Sequence, residues 1–263
     1  MKQRIVFFGS GEYIVPVVEK LLKHGLDLVI TTEKNPDYKL LKYCVENNIK
    51  TITAQTSSDL ISNQSLITNH DVAVLASYGA FIPDEIIKTF PQGIINIHPS
   101  LLPKYKGPSP IQYAILNGET TTGVTLIKLD NEIDHGPILS QKPYELSGNE
   151  TSEDLLSILF EIGSGMVEEL IVKLENGEKL NETPQDHSKE TWSYKITKQD
   201  GFIDLSKLPT NELEIRNWKL EIARKIRAFY PWPGVWFRYP PVIARSETTK
   251  QSSLENKLIK LLP

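Results

Sequence analysis

Short apolar runs alternate with amphipathic stretches through the first hundred residues of the chain. The runs are brief and rich in Val, Ile and Phe, as is typical of strands buried on both faces; they lie at Arg4–Phe8, Leu26–Thr31, Ile49–Thr53, Val72–Ala76 and Ile94–His98. The stretches between them have helical spacing or helix-start signals, at Tyr13–His24, Asp37–Asn48, Ser57–Thr68 and Pro83–Phe90. This alternation predicts an α/β fold with a doubly wound, mostly parallel sheet.

The pattern changes in the next part of the chain. Gly123–Leu129 and Ile138–Leu146 alternate like longer strands, and Leu155–Glu175 has the spacing of an amphipathic helix. Thr151 and Asp154 stand three residues apart ahead of that helix, which predicts a capping box at its start.

Polar segments that contain Gly and Pro divide the chain into three predicted parts. These are a main domain over 1–176, a connector over 177–210 and a short C-terminal region over 211–263. We expect the C-terminal region to contain a helix over 211–229 and an exposed polar loop over 246–253.

Composition narrows the class of protein. The 263 residues are 40% hydrophobic and 24% charged, which is ordinary for a globular protein with a sizeable core. The first residues lack the pattern of a signal peptide, and no apolar run approaches the ~18–20 residues of a membrane span, so we expect a cytoplasmic protein without a membrane partner. The single cysteine, Cys44, excludes an internal disulfide framework and leaves no cysteine cluster for zinc.

The net charge of −4 is unevenly distributed. From Arg216 to the end, ten Lys and Arg residues face three Asp and Glu residues, so the rest of the chain is strongly acidic. A basic tail can attract a polyanion by releasing its counterions. A solvated helix face explains the same pattern and is the simpler interpretation.

The turn after the first strand contains Gly9-Ser-Gly11, as a phosphate-binding turn can. Only the first two glycines of the dinucleotide fingerprint are present, because Ile14 stands where the third would fall. A tight strand-to-helix turn that binds no phosphate is the favoured interpretation, and a bound nucleotide stays open.

The end of the fifth apolar run carries the most informative side chains. Asn96 and His98 are two residues apart, so both would point to one face of a strand. Asp134 follows 36 residues after His98. An amide can stabilise an oxyanion, an imidazole can transfer a proton, and a carboxylate can orient or charge-balance that imidazole, which together suit acyl transfer. The histidines lack the paired spacing of a zinc site, so no metal is predicted.

These residues also carry a family resemblance. The segment Asn96-Ile-His98-Pro-Ser100-Leu-Leu-Pro103-Lys-Tyr-Lys-Gly107 resembles the signature of the folate-dependent formyltransferases. Downstream, Ile133-Asp134-His-Gly136-Pro-Ile-Leu139 resembles that family's aspartate motif, and Tyr78-Gly79 resembles the Tyr-Gly ahead of its substrate pocket.

The resemblance implies a Rossmann-like formyltransferase fold, with 1–176 as the catalytic domain. It implies Asn96, His98 and Asp134 as catalytic residues and 10-formyltetrahydrofolate as the formyl donor, without a metal. The implied folate-binding residues are Ser100, Leu101, Leu102, Pro103, Tyr78 and Gly79.

The resemblance constrains the acceptor of the formyl group less than it constrains the donor. Lys195–Asp204 and Ile226–Gly234 are most similar to the members that formylate initiator methionyl-tRNA for translation initiation. Two features differ: the loop over 32–39 is short and not notably basic, and the chain stops about 27 residues after Trp236, too soon for those members' C-terminal barrel. An amino group on a nucleotide-linked sugar, a purine-precursor ribotide or another small amine is the alternative, and an inactive folate-binding module is a third possibility. We expect a monomer that binds no DNA.

Overall fold

One sheet of seven strands organises the chain. The computed structural model describes residues 2–209, 211–238 and 258–263. The strands of the sheet are β1 Ile5–Gly9, β2 Leu26–Thr31, β3 Lys50–Thr53, β4 Val72–Ala76, β5 Ile94–His98, β6 Thr121–Lys128 and β7 Ile138–Glu145. Their order is β3-β2-β1-β4-β5-β6-β7. Neighbours among the first five strands are parallel, whereas β5–β6 and β6–β7 are antiparallel, so the predicted mostly parallel α/β sheet is confirmed.

The helices follow the strands in alternation. They are α1 Val15–Lys23, α2 Lys39–Glu46, α3 Ser57–Ser62, α4 Gln64–Ile67, α5 Asp84–Ile87, α6 Pro110–Asn117, α7 Ser152–Glu175 and α8 Glu212–Ala228. Short 3₁₀ turns lie at Glu12–Ile14, His187–Lys189, Lys198–Gly201 and Leu205–Lys207, and a separate ribbon pairs β8 Val235–Arg238 with β9 Leu258–Leu261.

Two helical predictions need correction. The single helix predicted over 57–68 is divided at Asn63, whose side-chain amide donates to the Asp59 carbonyl at 2.8 Å and whose backbone leaves the helical region. Helix α6 was not predicted, although Pro110 at its first turn and left-handed Gly118 after its end are start and stop signals.

Apolar side chains fill both faces of the sheet because successive residues of a strand point to opposite sides. On β1, Ile5 and Phe7 join the layer under α1 and α7, whereas Val6 and Phe8 join the layer on the other face. Helix α7 begins with the predicted capping box: the Asp154 backbone N–H donates to the Thr151 hydroxyl, and the Thr151 N–H donates to the Asp154 carboxylate.

The strand that carries the candidate chemistry lies where parallel pairing gives way to antiparallel pairing. Asn96 of β5 is paired with Leu75 of β4 on one side and with Ile127 of β6 on the other. Among the described residues, no helix is long and apolar enough to cross a membrane. The exposed loop predicted over 246–253 lies outside the described residues.

Candidate active site

Three residues far apart in sequence meet at the end of β5. Asn96 and His98 are each 5% exposed on the last residues of that strand, and Asp134 lies in the loop after β6. The Asp134 Oδ1 atom accepts a hydrogen bond from Asn96 Nδ2 at 3.3 Å and lies 3.5 Å from His98 Nδ1. The structure therefore brings together all three side chains that the sequence singled out for catalysis.

The backbone carbonyl of Tyr105 fixes the histidine ring. His98 Nε2 lies 3.0 Å from that oxygen, which can only accept, so Nε2 carries the hydrogen. In a neutral ring the other nitrogen, Nδ1, then has a free lone pair. Nδ1 is thus the atom that can take up a proton, and Asp134 lies where it would stabilise the resulting positive charge.

Asp134 is held by contacts on both its side chain and its backbone. Its Oδ2 accepts from the Gly107 backbone N–H at 2.8 Å, and its φ of 49° lies in the left-handed region. The side-chain amide of Gln185 donates to the carbonyls of Asp134 and Gly136, at 2.9 and 2.8 Å. A Cβ at Gly136 would lie 1.8 Å from the carbonyl oxygen of Lys128, so this turn requires glycine.

Residues 185–193, which we call the strap, cross the loop that carries Tyr105 and Gly107. The Lys106 N–H donates to the Thr191 carbonyl at 2.8 Å, and the Ser193 N–H donates to the Lys106 carbonyl at 2.6 Å. Nζ of Lys106 is also paired with the Glu190 carboxylate at 2.7 Å, although the lysine side chain is only 1% exposed. The strap therefore holds the two backbone groups that orient His98 and Asp134.

The sequence analysis did not identify these supporting contacts, because the strap lies within residues 177–210, which are predicted to be only a connector. Gln185 and Ser193 are buried polar residues there, but no periodicity marks them. Tyr105 and Gly107 lie inside the recognised motif, but they act through backbone groups, which every residue has, so their residue types do not reveal these contacts.

Two cavities share a wall at Asn96 and Asp134, and His98 borders the larger of them. The larger has a volume of about 740 Å³ and is bordered by Asn96, His98, Asp134, Tyr78 and Gly79. The smaller, of about 160 Å³, shares part of that wall, namely Leu75, Ala80, Asn96, Ile133 and Asp134. Two spaces that adjoin one set of polar groups suit a reaction between two substrates.

The predicted folate-binding residues separate into two groups. Tyr78 and Gly79 border the larger cavity, and the Tyr78 hydroxyl donates to the Ala54 carbonyl at 2.8 Å. Burial raises the pKa of the Tyr78 phenol, so this side chain stays neutral at physiological pH.

Ser100, Leu101, Leu102 and Pro103 border neither cavity. The Ser100 hydroxyl donates to the Lys104 carbonyl at 2.6 Å, and the Leu102 N–H donates to the Thr125 hydroxyl at 3.0 Å. These contacts shape the turn that leads from β5 to Tyr105. A direct folate contact by the four residues stays a prediction.

In the part of the chain that the structure describes, no group of three or more His, Cys, Asp or Glu side chains is arranged to hold a metal ion. Cys44 is buried, and burial raises the pKa of its thiol to about 11. A thiol of this kind is a weak nucleophile at neutral pH. Cys44 also borders neither cavity.

Comparison with known proteins agrees with this geometry. The formyl transferase family matches residues 3–169. The methionyl-tRNA formyltransferase of Thermotoga neapolitana is 33% identical over 242 residues, 88% of this chain and 74% of that protein. The enzyme of the same name from Chloroflexus aurantiacus is 35% identical over 244 residues, 89% of this chain and 75% of that protein.

Two solved structures are similar in fold. A 4-N formyltransferase from Francisella tularensis superposes with a TM-score of 0.72 at 20% identity, over 99% of this chain and 98% of that one. WlaRD, a sugar 3N-formyl transferase solved with dTDP and 5-N-formyl-THF, superposes with a TM-score of 0.67 at 24% identity, over 87% of this chain and 80% of that one. With a family match over most of its length and relatives above 30% identity, the chain belongs to the formyl transferase family.

Proposed function

We propose that the protein transfers the formyl group of 10-formyltetrahydrofolate to the amino group of initiator methionyl-tRNA. The observation that carries the reaction is the contact of Asn96 and His98 with one carboxylate oxygen of Asp134, at the meeting point of two cavities. The two relatives described above, both methionyl-tRNA formyltransferases and both more than 30% identical to this chain, favour this acceptor.

The reaction begins when the neutral amine attacks the formyl carbon and creates a tetrahedral centre with an oxyanion. One N–H of the Asn96 amide donates to Asp134, so the other is available to that oxyanion. The attacking amine loses a proton, which Nδ1 of His98 accepts while Asp134 stabilises the imidazolium. The bond from carbon to N10 of the folate then breaks, N10 takes a proton, and the products are a formamide and tetrahydrofolate.

The shapes of the cavities favour separate places for the two substrates. The smaller cavity is lined by the apolar residues Ala80, Phe81 and Ile82 and by the loop over 129–134. A flat pterin ring suits such a slot, with loop peptide groups as hydrogen-bond partners. The acceptor would then approach through the larger cavity, whose wall includes Trp192 and Tyr194.

A nucleotide-linked amino-sugar is the second candidate acceptor. It is favoured by the two similar solved structures, one a 4-N formyltransferase that matches this chain over almost its full length and the other a sugar formyl transferase. The same three side chains could serve either amine, since they contact the reacting atoms and not the rest of the acceptor.

The decisive experiment supplies 10-formyltetrahydrofolate with charged initiator tRNA or with a nucleotide amino-sugar, and then measures the formylated product of each. We expect formylated methionyl-tRNA. Asn96→Ala, His98→Ala and Asp134→Ala should each lower its rate of formation about 100-fold or more, whereas Asp84→Ala, which removes an exposed carboxylate paired with Lys88, should not. Formylation of the sugar alone would overturn the proposed acceptor.

A further inference from the structure

Two aromatic side chains stand exposed at the larger cavity. Trp192 is 39% exposed and Tyr194 is 66% exposed, and both border the cavity that also contains Asn96 and Asp134. Large aromatic rings usually bury most of their surface. Exposed rings beside the reacting groups therefore offer a surface for a flat ligand.

The Trp192 ring is held in place from one side. Its backbone pairs with Lys106 through hydrogen bonds on both flanks, and its indole N–H donates to the Glu190 carboxylate at 3.3 Å. The buried ammonium of Lys106 lies 5.6 Å from the ring centroid and covers one face. A flat ligand would therefore approach the ring from the face opposite Lys106.

Tyr194 and Lys195 continue this surface. The Tyr113 ring packs edge-on against Tyr194 with centroids 6.4 Å apart, which leaves Tyr194 mostly free. Lys195 also borders the cavity, is exposed, and makes no ion pair within the described residues. Aromatic rings beside a free cation are the usual elements of binding to single-stranded nucleic acid.

We propose that Trp192 and Tyr194 stack against an unpaired nucleobase at the 3′ end of the acceptor tRNA, while Lys195 contacts the neighbouring phosphate. The inference deepens the proposed function and rests on it, because the amino acid esterified to that end must reach Asn96. The folate is a poorer occupant, since the smaller cavity is the better fit for its pterin. Trp192, which belongs to the strap, and Tyr194 and Lys195, which directly follow it, would then determine specificity for RNA.

Steady-state kinetics test the role of the ring. Trp192→Ala should raise KM for methionyl-tRNA about 5- to 150-fold, the range for loss of one base–aromatic stack, with kcat and the KM for 10-formyltetrahydrofolate unchanged. Trp192→Phe should restore most of the affinity. Trp232→Ala is the matched control, because this tryptophan is 58% exposed and borders neither cavity. It should leave kcat and both KM values unchanged. A rise in the donor KM, or an equal loss of kcat in the Ala and Phe variants, would overturn the inference.

Direct binding tests the same inference without reference to activity. The trinucleotide CCA should quench the tryptophan fluorescence of the wild-type protein, and Trp192→Ala should abolish that response. Uridine diphosphate is the second probe. A response to the diphosphate without a response to the trinucleotide would assign the rings to a nucleotide-linked sugar, and no response to either would refute a base-stacking surface. Because this titration requires no turnover, failure of the inference is distinguishable from failure of the proposed reaction.

Discussion

The side-chain amide of Gln185 donates a hydrogen bond to the backbone carbonyl of Asp134 at 2.9 Å, across 51 positions of sequence. The same nitrogen also donates to Gly136 at 2.8 Å. The loop that carries Asp134 is thereby held by a residue that lies beyond the region matched by the family, residues 3–169.

Loss of this amide should affect catalysis more than binding. In Gln185→Ala the carbonyls of Asp134 and Gly136 lose their donor, and the carboxylate shifts. We expect kcat to fall about 10- to 100-fold with little change in KM, and the free energy of unfolding to drop by about 1–3 kcal/mol. Gln55→Ala removes a similar amide-to-carbonyl bond at an exposed site, to Thr32, and should leave kcat unchanged. An equal effect of both substitutions on kcat would contradict a positioning role for Gln185.

The turn after Asp134 should not accept a side chain. Gly136→Ala would bring a Cβ to 1.8 Å from the Lys128 carbonyl, so the loop must move. We expect a stability loss of about 1–3 kcal/mol together with loss of formyl transfer. Gly165→Ala is the control, since a Cβ at this position in α7 meets nothing within 4 Å. It should raise stability by about 0.5–1 kcal/mol, as measured by urea unfolding.

The amide of Asn96 should be needed in the transition state. Asn96→Ala should lower kcat by about 10²–10³-fold, the usual loss for one oxyanion donor. Asn96→Asp should be as inactive, because a second carboxylate near Asp134 cannot donate to an oxyanion. Asn47→Ala removes an exposed amide that bonds to Tyr43 and should retain full activity. A change confined to KM in Asn96→Ala would exclude the oxyanion role.

The capping box of α7 should contribute to stability and not to catalysis. Thr151→Ala removes the oxygen that accepts from the Asp154 N–H, and we expect a loss of about 0.5–2 kcal/mol in urea unfolding. Thr56→Ala removes the equivalent capping box of α3, which has only six residues, and should lower the free energy of unfolding by less. A loss of kcat in Thr151→Ala at temperatures where the protein stays folded would contradict this assignment.

The single thiol should resist alkylation in the folded protein. The thiolate is the reactive form, and burial raises the pKa of Cys44 from 9.0 to about 11. At pH 8 the thiolate fraction is therefore about 100-fold lower than in the unfolded chain, and buried packing adds to the protection. Mass spectrometry after iodoacetamide treatment should find little modification in buffer and complete modification in urea. Rapid labelling in buffer would place Cys44 in a more open environment.

The strand that carries Asn96 and His98 was predictable with its bounds, because the signals are local: an apolar run for burial and a two-residue spacing for a shared face. Asp134 was found through its motif. Its contacts with both side chains confirm that these residues lie together.

The strap could not be predicted in the same way. Gln185 is a polar residue in a polar segment, and its importance depends on a turn that only the folded chain brings near it. The same applies to the break at Asn63, where a side chain competes with the helix backbone. Residues 100–103 are the opposite case: their motif is easy to recognise in the sequence, but they border neither cavity. Their contacts stabilise the turn that leads from β5 to Tyr105.

The bond from His98 to the Tyr105 carbonyl has a consequence for the path of the proton. A peptide carbonyl cannot accept a proton at physiological pH, so the imidazole has no exit on that side. In the proposed reaction, a proton that enters at Nδ1 must leave again at Nδ1. The ring then acts as a reservoir and not as a relay to bulk water. In that reaction the proton taken from the amine would stay in the site, where it is available to the folate nitrogen that has to take one up.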